Sequence, residues 1–310
     1  MAFRNMRVWR YIDEVARAGS VRQAAERVNI TSSALLRRLQ DVEHDLGTPI
    51  FERYSSGMKL TAAGELLMRW VRSQNADLQR VMSQISELSG MQRGEISIAC
   101  SQAAQSFLAQ EINSFRRDYP RIKFSVSVTD PHGALKALTD FECDLVLIFQ
   151  PFMSADLHVV RSVKQRMVAI MDRDHPLAKR ETVRLSECGS YDVALSAPAL
   201  GGREQMEKLL YAAAGRLNVM FDSNAFSMLP SLLVGTQVIG FNIEIGALDW
   251  MHDERLAVRP ISDMQHASGP ISLGQLKGRT LPLAAAKFAE HLRHALERFS
   301  GEPAGEARAA

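Results

Sequence analysis

The sequence predicts a small all-α head with a turn-rich basic flank, then one long helix, then a larger α/β body. Three observations predict it. Two short capped helices follow each other between residues 20 and 44, a proline-free stretch from 62 to 89 carries an apolar repeat of four and three, and from residue 94 period-two apolar runs alternate with helical ones. At 310 residues, with 46% hydrophobic and 23% charged, the chain has room for two or three compact units and no sign of bulk disorder.

The first short helix is expected over Ser20 to Val28. Ser20 is followed at the third helical position by Gln23, so the hydroxyl can accept an orphan N–H while the amide reaches back. Its apolar face is Ala24, Ala25 and Val28, small enough to let another helix cross closely. Asn29 and Ile30 break the pattern, and Thr31 can cap a second helix over Ser32 to His44. In that helix Leu35, Leu39, Val42 and Leu46 form the packing stripe, and Trp9, Ile12, Val15 and Ala16 give an earlier helix one apolar face.

After the pair, Gly47, Pro49, Phe51, Arg53 and Lys59 build a basic, turn-rich segment of wing size. Residues 1 to 60 hold 10 Lys and Arg against 7 Asp and Glu, whereas residues 91 to 310 hold 24 against 25, so the positive surplus sits in the head. A helix-turn-helix needs small or polar side chains and guanidinium groups at the front of its second helix, where base edges and phosphates are reached. Ser32, Ser33, Leu36, Arg37 and Arg38, with Arg53 in the wing, are the candidate contacts to double-stranded DNA.

From Thr61 to Gly90 the seam Leu67, Val71, Gln74, Leu78, Val81, Ile85 and Leu88 steps by four and three throughout. A helix of that length would run roughly 42 Å at about 1.5 Å per residue, too one-sided to stand alone in water. Self-pairing is expected, because a helix-turn-helix reads two half-sites and a coiled coil sets their separation.

Beyond Gly94 the expected strands are Glu95 to Cys100, Ile122 to Val128 and Asp144 to Phe149, with helices marked by Phe107 to Phe115 and by Leu135 and Leu138. A second series is expected from residue 166, with strands near Asp192 to Ser196, Leu217 to Asp222 and Val238 to Asn242, and helices near Arg203 to Ala213 and Ala225 to Val234. Ligands of open α/β sheets sit at the carboxyl ends of strands, where helix N-termini offer free N–H groups. That rule selects Ser101, Gln102, Thr129, Phe149 and Gln150 from the first series, and Ser196, Ser223, Asn224 and Phe241 from the second.

The head carries Ala18-Gly19-Ser20, the run Ala24 to Val28, the run Leu46 to Arg53 and Leu60-Thr61-Ala62-Ala63-Gly64. In that order and spacing it resembles the N-terminal domain of LysR-type transcriptional regulators, and weaker similarity continues to about residue 299 through Phe115 to Pro120, Cys143 to Leu147 and Asp174 to Ala178. The resemblance implies a winged helix-turn-helix at 1–60, a linker and dimerisation helix at 61–90, and at 91–300 a two-lobed effector domain of periplasmic-binding-protein type (type II). Lobe I is expected at 91–163 and 268–300, lobe II at 164–267, and a flexible tail at 301–310. It further implies a small-molecule effector held between the lobes by the strand-end residues above, assembly to a dimer and then a tetramer, and contact with RNA polymerase. Two positions depart from the family: Ser32 stands where a Gln is usual and Leu36 where a Ser is usual, so a thymine methyl is the expected target of Leu36.

Other classes lose their markers. Gly269 and Gly274 have phosphate-loop spacing, but Gln275 follows in place of the required Lys; no Gly-x-Ser-x-Gly or His-Glu-x-x-His occurs. No enzyme activity, cofactor or metal is therefore expected, and His291 and His294 are read as a solvated face. An enzyme fused to a DNA-binding head, or a ligand-independent DNA-binding protein with Phe149, Phe226 and Phe241 filling its cleft, are the competing readings. Arg4, Arg7 and Arg10 interrupt any apolar leader, no run of about 18 apolar residues appears, and Cys100, Cys143 and Cys188 are too few and too scattered for a disulfide framework. Cytoplasmic residence away from membranes is the expectation.

Overall fold

A computed structural model describes residues 2–55, 57–88, 94–149, 154–196, 211, 218–223, 225–264 and 269–300. The chain divides into two compact units, Met1–Gln79 and Arg80–Ala310. Within these residues, side chains are described except at 2–6, 86–88, 196 and 264.

In the first unit, α1 (Ala2–Ala18), α2 (Val21–Arg27) and α3 (Ser32–Leu46) precede a hairpin of β1 (Phe51–Tyr54) and β2 (Gly57–Leu60); α4 (Ala62–Leu88) then begins in the first unit and ends in the second. Local chemistry sets these boundaries. Ser20 Oγ accepts the Gln23 N–H at 3.5 Å and Thr31 Oγ1 accepts the Ala34 N–H at 3.2 Å. Asn29 between the two helices turns the chain with φ 54°, and Gly47 ends α3 with φ 70°. Ile12, Val15, Ala24, Ala25, Leu35, Leu39, Ile50, Phe51, Met68 and Val71 form one buried cluster.

The hairpin returns to α4 through a close approach. Glu43 Oε1 accepts the N–H groups of Ile50 (2.9 Å) and Phe51 (3.2 Å), and Thr61 Oγ1 donates to Pro49 O at 2.9 Å while accepting the Gly64 N–H at 3.0 Å. A Cβ on Gly64 would lie 2.1 Å from Ile50 O, so only glycine fits where α4 crosses that carbonyl.

The second unit has two five-stranded sheets. Lobe I orders its strands β4-β3-β5-β12-β6, from β3 (Gly94–Cys100), β4 (Ile122–Val128), β5 (Leu145–Phe149), β6 (Leu157–Lys164) and β12 (Pro270–Leu276). Lobe II orders β11-β7-β10-β8-β9, from β7 (Met167–Asp172), β8 (Asp192–Ser196), β9 (Asn218–Ser223), β10 (Ile239–Ile243) and β11 (Leu256–Pro260). Helices α5 (Gln105–Asp118), α6 (Pro131–Thr139) and α9 (Leu283–Ser300) belong to lobe I; α7 (Leu185–Cys188) and α8 (Leu229–Leu233) belong to lobe II. The chain therefore leaves lobe I after β6 and returns with β12, which pairs antiparallel with both β5 and β6.

The outward crossing is pinned by buried Gln165, whose Oε1 accepts the Ile245 N–H at 3.1 Å, and by Arg166, whose guanidinium forks onto both carboxylate oxygens of Glu244. Within lobe I the turn after β12 is held by Arg279, which donates to Cys143 O at 2.9 Å and to Asp144 Oδ1 at 2.8 Å while Asp144 Oδ2 accepts from Ser97. Removing one partner of such an enclosed pair costs about 3–5 kcal/mol, because the other charge is left buried. One hydrophobic cluster runs through both lobes and includes Ile98, Leu147 and Phe149 with Met171, Ile239 and Phe241.

Strands β6 and β11 were not foreseen from the sequence, and the expected helix from Ala225 is a short 3-10 turn followed by α8, which carries Pro230 in its first turn. Of the expected helix at Arg203 to Ala213 only Tyr211 is described; the rest, like the tail at 301–310, lies outside the described residues. The alternation in β4 continues to Val126 and Val128, but both are left about half exposed.

Candidate nucleic-acid interface and effector cleft

At about 100° per residue, Ser33, Arg37, Gln40 and His44 fall on one line of α3, opposite the buried Leu35 and Leu39. Ser32, Ser33 and Arg37 are exposed at the front of the helix, and Ser33 Oγ lies 3.2 Å from the Thr31 hydroxyl that caps it. This end presents free N–H groups, hydroxyls and one guanidinium together, as reading a DNA groove requires. Gln40 and His44 extend the same row and were not singled out from the sequence, although helical spacing alone places them there.

Two expected contacts sit differently. Leu36 is half-buried and packs against the unit's core, so most of its surface is committed to its own fold and not to a base methyl. Arg38 lies on the flank of α3, its guanidinium 5.4 Å from the centre of the Tyr11 ring on α1. In the wing, Arg53 pairs across the hairpin with Met58, while Glu52 faces Lys59. Arg53 and Lys59 thus lie on opposite faces of the hairpin, both exposed. Lys59 sits over the Tyr54 ring at 5.5 Å, and the Tyr54 hydroxyl donates to Glu52, which raises the Tyr54 pKa.

The seam on α4 is corrected at its start. Val71 is 1% exposed and, with Met68 and half-buried Leu67, belongs to the core of the first unit. It cannot also meet a second copy. The apolar residues left open on α4 are Leu66 (68% exposed), Trp70, Val81, Met82 and Ile85, with Leu78 half-buried and Gln74 exposed. Trp70 packs edge-on against Trp9 with ring centroids 6.0 Å apart. The side chain of Leu88 lies outside the described residues.

At the lobe I strand ends, Ser101 is buried and its Oγ accepts the Phe149 N–H at 2.8 Å, which ties β5 to the start of the 3-10 turn at Gln102–Ala104. Its hydroxyl hydrogen has no acceptor among the described residues. Gln102 Oε1 is buried without a hydrogen-bond partner among the described residues, and Thr129 is half-exposed beside Gly133, where a Cβ would lie 2.1 Å from Thr129 Oγ1. In lobe II, Ser223 Oγ accepts the Ala225 N–H at 3.0 Å. Phe241 is a correction: at 2% exposed it is part of the core of the unit. Phe149 is buried in the same cluster. Gln150, Asn224 and the Ser196 side chain lie outside the described residues. A crevice of about 10 Å3 touches Ser223, Phe226 and Phe241, room for roughly one water.

The three thiols are buried, and burial pushes Cys100 up to about 11 and Cys143 and Cys188 up to about 12, so none is a reactive thiolate near neutrality. His291 and His294 have carboxylate partners: His291 Nε2 meets Glu111 at 2.7 Å, and His294 lies 3.0 Å from Glu290 and 3.3 Å from Glu297. Among the described residues no group of three or more His, Cys, Asp or Glu is arranged to hold a metal ion. Among them, too, no helix is long and apolar enough to cross a membrane.

Residues 6–65 match the family model described as the bacterial regulatory helix-turn-helix protein of the lysR family, and residues 89–297 match the LysR substrate binding domain. A probable nitrogen assimilation transcriptional activator from Synechococcus elongatus is 26% identical over 253 residues, covering 80% of this chain and 82% of the relative. Among solved structures, full-length CbnR complexed with its target DNA is similar with a TM-score of 0.65 at 18% identity, over 94% of this chain and 99% of that one. The regulatory domain of CcmR from Synechocystis PCC6803, in complex with 2-PG, is similar with a TM-score of 0.57 at 19% identity, over 66% and 98%.

Proposed function

The chain belongs to the LysR family of DNA-binding transcriptional regulators, with an effector-binding domain, and from that premise we propose how its own residues divide the work. The front of α3 enters the major groove, where Arg37 reaches a base edge or phosphate and Ser32 and Ser33 hydrogen-bond beside it; Arg53 and Lys59 hold phosphates from the two faces of the wing. The observation that carries this reading is the exposed row of Ser33, Arg37, Gln40 and His44 on a helix whose opposite face buries Leu35 and Leu39 in the core.

Two copies pair through the open part of α4, from Leu78 to Ile85, which fixes the separation of two half-sites, and pairs of dimers form a tetramer. Such assemblies act in the cytoplasm and engage RNA polymerase at the promoter. The effector sits between the lobes at the ends of β3, β4, β5, β8 and β9, with Ser101, Gln102, Thr129, Gln150, Ser196, Ser223 and Asn224 around it. The similar CcmR domain carries 2-PG, which supports a small polar metabolite as the class. Because β6 to β7 and the return to β12 are the two crossings, a ligand that prefers one lobe arrangement changes how the units present their helix pairs to DNA.

The test is a nuclease footprint on the DNA upstream of the chain's own gene, repeated with metabolites selected by thermal shift. A protected pair of half-sites whose spacing or strength changes with one metabolite supports the proposal; protection that no stabilising metabolite alters would leave only a ligand-independent regulator.

A further inference from the structure

We propose that the groove between α1 and α3 is a docking site for a cationic, apolar-anchored segment of a partner protein that works at the same DNA. The groove measures about 270 Å3, its floor formed by Val8 and Trp9 of α1 and by Val42 and Leu46 of α3. Asp41 and Asp45 line one side and Arg38 stands at the end, drawn back over Tyr11. Leu46, although part of the apolar stripe of α3, is left 46% exposed there, so the stripe continues past the core into this groove.

The charge around it identifies the partner's chemistry. Five other acids of the first unit are used internally: Asp13 pairs with Arg17 and Arg72, Glu14 with Arg27, Glu26 with Arg22, Glu43 with two backbone N–H groups, and Glu52 with Tyr54; exposed Glu65 stands apart from the groove, in the first turn of α4. Asp41 and Asp45 have no hydrogen bond or ion pair among the described residues. Two open carboxylates one helical turn apart repel each other and repel phosphate. Their place in a DNA-reading unit is explained by where they lie, on the C-terminal half of α3 and roughly a quarter-turn round from the Ser33 and Arg37 row. Bound DNA would leave the groove open, and its field would gather Lys or Arg while the floor takes an aliphatic or aromatic anchor.

This inference rests on the DNA-binding reading, and the experiment keeps the two apart. The full chain is assayed with RNA polymerase holoenzyme from its own source as the probe, both on the footprinted promoter fragment and free in solution. Asp41→Asn with Asp45→Asn should leave the footprint and the sedimentation mass as in the parent, while polymerase binding falls at least fivefold; Asp41→Arg with Asp45→Arg should abolish it. Unchanged polymerase binding in both doubles, or none in the parent, overturns the proposal. Loss of the dimer in the doubles overturns it in favour of a second copy as the occupant, and loss of the footprint overturns it in favour of DNA. A parent without any footprint contradicts the DNA-binding reading instead, and polymerase binding in solution still decides the groove.

Discussion

Gln110 on α5 donates its amide hydrogen to Asp249 Oδ1 at 3.0 Å, and this bond joins lobe I to lobe II. Beside it the lobes approach closely: a Cβ on Gly246 would lie 2.9 Å from Ala103 O and 2.7 Å from the Asn242 amide. An exposed bond of this kind contributes about 0.5–1.5 kcal/mol, little for folding but enough to bias two lobe arrangements. Gln110→Ala should therefore shift the affinity for the effector found by thermal shift about two- to tenfold, with melting nearly unchanged. Calorimetry giving the parent's affinity would remove the bond from the coupling.

Gly64→Ala should damage the first unit alone. Its methyl would meet Ile50 O at 2.1 Å, a backbone atom that cannot move aside without disturbing the Glu43 bonds to Ile50 and Phe51. A cost of about 1–3 kcal/mol is expected. Differential melting of the full chain should show an early transition and weaker DNA binding; an unshifted melt would mean that α4 tolerates a wider crossing.

Charges at Val81 and Ile85 test the α4 pairing without touching the core of the first unit, since both are exposed in the single chain. In a dimer joined there, Val81→Asp with Ile85→Asp would bury unpartnered carboxylates and should give monomers that bind a single half-site weakly. A dimer mass in sedimentation would place self-association elsewhere.

The pairing seam shows where local pattern stops being informative. Helices α1 to α3 were legible because their caps and apolar spacings are local, as at Ser20, Thr31 and the Leu35 and Leu39 face. Val71 obeys the heptad as well as Val81 does, yet one is core and the other open, because spacing tells which face is apolar and not which neighbour covers it. The two-lobed α/β plan was legible, whereas β6, with its mixed burial, and β11, which carries Arg259 and Pro260, lacked the alternation that marks a strand. Phe241 follows the strand-end rule but points its bulk into the core, and Arg279 finds Asp144 135 residues away, beyond any local signal.

Acid should weaken lobe II through His175. The ring is buried against Tyr191, and its Nδ1 accepts the Leu177 N–H at 3.1 Å, which requires the neutral form. Burial lowers its pKa below the ordinary 6.5, against smaller raising contributions from the Gln237 backbone and Asp172. The unfolded chain thus takes up a proton first, and the stability present above about pH 6.5 declines as pH falls toward the depressed folded value. His175→Asn, which keeps an acceptor for Leu177, should flatten the decline in melting temperature between pH 7 and 5.5. A parallel decline would assign it to other groups.

The row at the front of α3 is tested most directly by the affinity of Arg37→Ala for the footprinted site and for unrelated DNA of equal length, at several salt concentrations. Expected is a loss of about 1–3 kcal/mol on the specific site with a much smaller loss on unrelated DNA, while Arg53→Ala weakens both and flattens the salt dependence. Arg37→Ala binding the specific site as tightly as the parent would contradict the assignment of α3 as the DNA-reading helix.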